Sequence, residues 1–489
     1  MRRVIVVLFV LLGAGLVGAS DERRPPNLLF ILTDDQGWSS LGCYGSRLAP
    51  TPHLDRLAAA GVRFTAAYVT PQCTPTRGAI LTGQHPARSR MWHVIGWYGY
   101  PWAPVREPEF AENLSRESFT LAKGLQAAGY ATGCLGKWHL TTGEDGDYTR
   151  LRPAGATFYG FDAVSAPGPG SHNEGDKHVA HLTDEAIAFI AKNQDRPWFC
   201  WLAHHTIHGV VSAPAELVKK YRERGAPAEG LHNATYLAAI EHLDAAVGRL
   251  LAALDERGLT DNTLVVFLSD NGGVDHVYDA TPFTQGTGNL TKLTVKSREF
   301  ASAPLRGTKG TLYEGGIRVP CLVRWPGVTK PGTICDTPIQ ATDWLPTLLV
   351  AAGTKAPAEH PLDGANLRPL LEGEPWIERS LYWYAPLYDL RWGATPAAAA
   401  RKGRHKLIEH FGDSFDSEGN YRPGHRVELY DLAADLGETT DLAARQPELA
   451  RELRADLHRH LAAVRAEIPT ANPAHDPLRP LRETRVKPR

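Results

Sequence analysis

Asn27-Leu28-Leu29-Phe30-Ile31-Leu32-Thr33 is an unbroken apolar run that stops at Asp34-Asp35. A run this short, with no polar alternation, reads as a strand covered on both faces, as in a parallel sheet. Thr263-Leu264-Val265-Val266-Phe267-Leu268-Ser269 repeats the pattern and ends in Asp270-Asn271-Gly272-Gly273. A third run, Pro197–Ala203, ends in His204-His205-Thr206-Ile207-His208. Three buried strands thus hand polar groups to their C-terminal ends, the edge where open α/β sheets place their sites. Helical patterns alternate with them. In Tyr236–Leu259 the residues Leu237, Ile240, Leu243, Val247, Leu250 and Leu254 fall on one face, and Gly258 suits the end. Phe119–Ala128, Thr183–Lys192 (with Thr183 as its cap) and Asp343–Leu349 read likewise. The alternation predicts an α/β fold: a large mixed, mainly parallel sheet sandwiched by helices. Beyond Gly373 the pattern changes to short strand-like runs at 380–384, 405–408 and 427–430, then a helix near Pro447–Val464. These predict a smaller C-terminal antiparallel sheet plus helix. Ala397–Ala400 reads as a low-complexity patch.

The expected organisation is a signal peptide at 1–19, a catalytic domain at 20–375, a C-terminal subdomain at 376–470 and a tail at 471–489. The leader rests on Arg2-Arg3, the apolar run Val4–Val17 and the small residues Val17-Gly18-Ala19. It implies a secreted or periplasmic protein with no stable membrane insertion. The formal net charge of -1 gives no reason to expect a nucleic-acid partner. Of the six cysteines, Cys200 sits in an apolar run and reads as core, and no disulfide framework is expected.

Chemistry concentrates in five places. In Cys73-Thr74-Pro75-Thr76-Arg77 a nucleophile precursor precedes an arginine by four residues, at the start of an apolar helical run. A fixed cation and a helix N-terminus beside a nucleophile suit attack on a tetrahedral anion. Asp34, Asp35, Asp270 and Asn271 offer hard oxygen ligands for Ca²⁺ or Mg²⁺, and no zinc-type Cys/His spacing is present. Lys137 and His139, two apart on a segment expected to be extended, would point the same way. His208 is the first choice among the histidines after the third strand, and His205 the second. Lys309 lies in the glycine-rich block Leu305–Pro320, where Glu314 and Arg318 are expected to pair and hold the turn.

C-x-P-x-R followed by Ile80-Leu81-Thr82-Gly83 resembles the signature of the type I, formylglycine-dependent sulfatases, an arylsulfatase-like family of the alkaline phosphatase superfamily. Gly129-Tyr130-Ala131-Thr132 through Gly136-Lys137-Trp138-His139 resembles the family's second signature. Arg306-Gly307-Thr308-Lys309-Gly310 through Arg318 and Pro320 resembles a further block, and Leu429-Tyr430-Asp431-Leu432 its closing motif, with Leu436 replacing the usual proline. The resemblance implies an alkaline-phosphatase-like fold. It implies that Cys73 is converted to formylglycine before folding by a formylglycine-generating maturation enzyme. It implies Ca²⁺ (or Mg²⁺) held by Asp34, Asp35, Asp270, Asn271 and residue 73. In the implied mechanism the aldehyde hydrate attacks sulfur, His208 or Lys309 protonates the leaving oxygen, and His139 drives release of sulfate. Arg77, Lys137 and Lys309 neutralise the anion.

The substrate is expected to be a sulfated carbohydrate, or an aryl sulfate as its mimic. Trp92, His93, Trp97, Tyr98, Tyr100 and Trp102 are expected to stack on sugar rings, and the long polar loop Asp275–Ala303 to narrow the entrance. The alternatives are a phosphodiesterase or phosphonate monoester hydrolase of the same superfamily, and an inactive glycan-binding relative.

Overall fold

The computed structural model describes residues 24–94, 100–279 and 292–476. The expected leader, Trp97, Tyr98 and the end of the tail lie outside the described residues, as does 280–291 within the expected entrance loop.

A nine-stranded sheet forms the large layer. Its strands run in the order Thr333–Cys335, Val62–Tyr68, Arg318–Arg324, Thr263–Ser269, Asn27–Thr33, Trp198–Ala203, Ala131–Gly136 and Ala163–Val164. Ile339–Gln340 pairs with the far end of Val62–Tyr68. Every pairing is parallel except those of Arg318–Arg324 with its two neighbours, so the sheet is mixed and mainly parallel.

The central strand shows why an unbroken apolar run was needed. Leu28, Phe30 and Leu32 enter the core on one face, with helices Cys73–Thr82, Leu121–Ala127 and Trp344–Ala351. Leu29 and Ile31 enter the core on the other, with helices Pro52–Ala59, Val179–Asn193 and Ala234–Glu256. Each such side chain contributes about 1.5–3 kcal/mol on burial. Phe30 stacks on Trp201 and meets Trp344 edge-on, with centroids 5.2 and 5.7 Å apart.

One helix start differs from expectation. Thr183 lies inside Val179–Asn193 and donates its hydroxyl to the Val179 carbonyl. The capping is done by Asp176, whose carboxylate accepts from the N–H groups of His178 (3.1 Å) and Ala180 (2.8 Å). A threonine followed by acids looks like a cap in the sequence, but a carboxylate further upstream satisfies the first N–H groups.

The small sheet is antiparallel, in the order Leu381–Ala385, Ala397–Lys402, His405–His410 and Arg426–Asp431. The alanine patch is therefore a central strand, not low complexity. Ala398 and Ala400 pack in one core with Leu453, Leu457 and Leu461 of helix Pro447–Ala463, while Ala397 and Ala399 share another with Tyr68 and Ile317 of the large layer. Methyl side chains let both partners approach closely.

A buried polar hub joins the two sheets. Glu314 accepts from Lys406 Nζ (2.9 Å), Arg318 Nη1 (3.1 Å) and the Tyr68 hydroxyl (2.6 Å). Lys406 also pairs with Glu438 at 2.8 Å, and Glu438 accepts from the Glu314 N–H at 2.7 Å. All six cysteines are free. Cys321 and Cys335 both pair in register with Phe64, one from each side, so an intervening strand holds them beyond disulfide reach. Among the described residues no helix is long and apolar enough to cross a membrane.

Candidate active site

Four adjacent parallel strands, Thr263–Ser269, Asn27–Thr33, Trp198–Ala203 and Ala131–Gly136, end at one edge and deliver the polar groups anticipated there. Asp34 extends the central strand's pairing by donating its N–H to the Thr206 carbonyl at 3.0 Å. Its Oδ2 pairs with Lys137 and lies 3.5 Å from Arg77 Nη2. Asp35 has a left-handed backbone, φ 59°. Its Oδ1 accepts from Lys309 Nζ at 2.6 Å and Asn271 Nδ2 at 2.7 Å. Asp270 Oδ2 accepts from Arg77 Nε (2.9 Å) and Nη2 (2.6 Å), and Arg77 Nη1 donates to the Lys137 carbonyl at 2.7 Å. The loop after Asn271 fits because it has no side chain: a Cβ on Gly272 would lie 1.9 Å from the Gly315 carbonyl oxygen.

Three buried carboxylates thus face three buried cations. Burial acts to raise the Asp34 carboxyl, but Lys137, Arg77 and Lys309 hold it well below the usual range. Burial and the neighbouring Asp34 push Asp270 up to about 6, and burial also raises Asp35. Burial opposes the charge on Lys137 and Lys309, yet Asp34 and Asp35 keep both more basic than usual. Burial and the nearby cations drive His139 and His208 well below the normal imidazole range, so both rings are neutral.

Cys73 is the first residue of helix Cys73–Thr82, and its Sγ lies 3.2 Å from His139 Nδ1. Burial raises its thiol pKa. The Lys137–His139 segment is not extended as expected. The strand stops at Gly136 and His139 adopts φ 56°. Lys137 therefore turns beneath the floor toward Asp34, while His139 rises beside Cys73, its carbonyl accepting from Thr74 Oγ1 at 2.9 Å.

A cleft of about 850 Å³ opens above this cluster. Cys73, His139, His208, Lys309 and Asp35 line it, while Arg77, Lys137, Asp34, Asp270 and Asn271 lie fully buried beneath. His208 reaches the cleft, its Nε2 4.0 Å from Asp35 Oδ2. His205 faces a separate, smaller cavity, its ring 5.2 Å from that of His172.

The aromatic expectation is corrected for Trp92, His93 and Tyr100. Trp92 packs edge-on to Tyr384, His93 lies against Phe110, and Tyr100 meets Tyr388 edge-on; all three are buried away from the cleft. These rings fill the join between the two layers instead. The expected loop is in part a hairpin of His276–Asp279 with Thr294–Arg298, and Val277, Ser297 and Arg298 of it line the cleft.

Two residues escaped the sequence reading. Tyr148 lies under Lys137 Nζ (4.5 Å), meets the His139 ring at 4.7 Å, and brings its hydroxyl within 3.0 Å of His208 Nδ1. It sits in an irregular loop, and nothing in the sequence marks it. Trp392, in a turn between two strands of the small sheet, stands 5.8 Å from Lys309 Nζ. A tryptophan flanked by Asp389-Leu390-Arg391 and Gly393 was the only available signal.

The donor set fits a divalent metal ion. Asp34 Oδ1 and Asn271 Oδ1 are buried without a hydrogen-bond partner. Ligand atoms of Asp34, Cys73 and Asp270 lie within 4.8 Å of one another, as do those of Asp34, Asp35 and His208. Buried orphan oxygens beside clustered carboxylates are what a hard cation satisfies.

Comparison with known proteins agrees with this geometry. Residues 26–354 match the Sulfatase family, and residues 308–467 match the family described as N-sulphoglucosamine sulphohydrolase, C-terminal. The chain is 34% identical to arylsulfatase A of Homo sapiens, over 91% of this chain and 89% of that one. It is 30% identical to steryl-sulfatase of Mus musculus, over 96% and 86%. The fold is similar to that of Ps i-CgsB in complex with k-i-k-neocarrahexaose, with a TM-score of 0.70 and 24% identity over 89% of this chain and 93% of that one. With its alkaline-phosphatase-like sheet and the cleft at the sheet's carboxyl edge, the chain belongs to the sulfatase family and is a sulfuric ester hydrolase.

Proposed function

We propose that this chain hydrolyses sulfate monoesters with a nucleophile made from Cys73 and a divalent cation held by Asp34, Asp35, Asp270, Asn271 and residue 73. The observation that carries the reading is the placement of Cys73 on a helix N-terminus, 3.2 Å from His139 and in the same cleft as Lys309, above the buried acid cluster. Formylglycine at position 73, installed by a maturation enzyme, would supply as its hydrate the hydroxyl that attacks sulfur. Calcium, or magnesium as second choice, would withdraw charge from the sulfate oxygens.

The remaining roles belong to the chain's own groups. Three acids balanced by three cations leave the cluster near neutrality, so a divalent ion gives the site the net positive charge an anion requires. Lys309 is held protonated by Asp35 and faces the cleft, so it offers its N–H groups to the leaving oxygen. His208 Nδ1 donates to the Gly209 carbonyl at 2.7 Å, so the neutral ring keeps its lone pair on Nε2. That leaves Lys309 as the better proton donor and His208 as a group that orients the ester. His139 Nδ1 is placed to take a proton from an oxygen borne by residue 73. Arg77 and Lys137 act from below, fixing Asp34 and Asp270. With the leader at 1–19, the enzyme works outside the cytoplasm, in the periplasm or beyond the cell.

Peptide mass spectrometry of protein made with a maturation enzyme should show an aldehyde at residue 73. Cys73→Ala should keep its fold and lose turnover of an aryl sulfate. The matching aryl phosphodiester should give a lower kcat/KM in the same batch. Sulfate release by Cys73→Ala would refute the nucleophile, and a preference for the diester would move the chain to the phosphodiesterase class.

A further inference from the structure

The walls of the cleft beyond the reaction centre restrict what the sulfate can be attached to. Among the described residues, the cleft lining carries more carboxylates than cations. Each of those cations is already engaged: Lys309 with Asp35 at 2.6 Å, Arg391 with Asp389 at 2.8 Å, and Arg298 with Asp275 at 3.1 Å. Glu229 and Glu299 line the same walls. The rest of the wall is apolar: Val94, Val210, Val211, Val274, Val277 and Trp392. Val210 is 70% exposed at the rim. Trp392 is braced from behind, since a Cβ on Gly310 would sit 2.7 Å from its Cδ1.

A chain bearing several sulfates or carboxylates needs a row of unpaired cations along its path. Among the described residues this cleft offers paired cations, more carboxylates than cations and an apolar wall. We propose, building on the sulfatase reading, that the substrate is the sulfate monoester of an otherwise uncharged alcohol with a broad apolar face, and that multiply charged sulfated chains are excluded. The single sulfate is held by the buried centre, and the apolar face of the alcohol lies against Trp392 and the valines. A second anionic group would be brought toward Glu229, and toward Glu299 once that side chain, lifted by burial to about 7, has ionised; like-charge juxtaposition of that kind is unfavourable.

The test uses full-length protein of known aldehyde content and two matched esters: an aryl sulfate, and the same aryl sulfate with a carboxylate on the far edge of its ring. The uncharged ester should show about tenfold or greater higher kcat/KM, the effect of one uncompensated like-charge contact. Trp392→Ala should raise KM for the uncharged ester about tenfold with a much smaller change in kcat, as expected when an aromatic wall is lost. Val210→Lys, at a rim position that carries little folding risk, should shift the ratio toward the carboxylated ester by about tenfold, because it adds an unpaired cation. Equal or faster cleavage of the carboxylated ester by the unaltered protein, with no effect of Val210→Lys, overturns the proposal. Failure to release sulfate from either ester, despite a demonstrated aldehyde, overturns the sulfatase mechanism along with it.

Discussion

Tyr148 is the residue through which three proposed catalytic groups feel one another, since Lys137 Nζ lies over its ring, the ring packs against His139 and its hydroxyl reaches His208. Tyr148→Phe keeps the ring and removes only the hydroxyl. The expected outcome is a fall in kcat of about tenfold, the value of one hydrogen bond in a dry site, with KM nearly unchanged. Steady-state kinetics on an aryl sulfate checks it. The orphan oxygens Asp34 Oδ1 and Asn271 Oδ1 carry a second expectation. Exhaustive chelation should abolish activity and lower Tm, since an ion bound only by the folded state stabilises it. Calcium or magnesium should restore both, and stoichiometric zinc without either in the purified protein would contradict the hard-ligand argument. The acids and Asn271 were legible in the sequence because a buried strand must end where its polar residues begin. Tyr148 was not legible because it belongs to a loop, where no periodicity links a side chain to a place.

At the scale of elements, the hub of Glu314, Lys406 and Glu438 fastens a strand of the small sheet to the segment that carries Lys309. Lys406 is fully buried between two carboxylates. Lys406→Met removes the cation, leaving Glu438 without its counter-ion and Glu314 with Arg318 alone. Breaking a buried pair in this way costs about 3–5 kcal/mol. Urea unfolding should show the loss, and activity should fall below what the residual folded fraction explains, because Lys309 lies in the loop that Glu314 closes. The sequence announced the pairing of Glu314 with Arg318 but not the third and fourth partners, which arrive from far along the chain. The alanine strand at 397–402 was missed for a related reason. Its side chains are too small to display an amphipathic pattern, and their size matters only once the helix and Tyr68 are in place on either side. Thr183 shows the opposite error, a sound local signal overruled by Asp176 three residues ahead of the helix.

At the scale of the whole molecule, titratable groups buried where the two layers meet set a pH window. Burial pushes His85 down to about 3 and His460 to about 4, while it lifts Glu107 to about 8. Above pH 6.5 the two histidines are neutral in both states and cost nothing. Below it the unfolded chain takes up protons that the folded one refuses, so stability falls toward pH 4. Glu107 acts on the other side. Its unfolded form ionises above about 4.5, its folded form not until about 8, so its contribution is complete below 4.5 and is lost as pH rises to 8. With two histidines against one glutamate, the contribution of these three groups to stability peaks near pH 6.5. Glu107→Gln should flatten the alkaline limb by about 1 kcal/mol, allowing for solvent screening at a side chain that is only half-buried. Thermal melts of both proteins at pH 6.5 and 8 decide it. The hub between the sheets has one more consequence. A ribosome delivers Asp34 early and Lys406, Trp392 and Glu438 late, yet all of them bear on one cleft. Until the last sheet has emerged and docked, the Lys309 segment lacks its anchor to that sheet and the cleft lacks its tryptophan wall. A nascent or truncated chain that lacks this sheet is therefore expected to be inert toward the ester, and the first turnover of each molecule certifies that its synthesis was carried to the end.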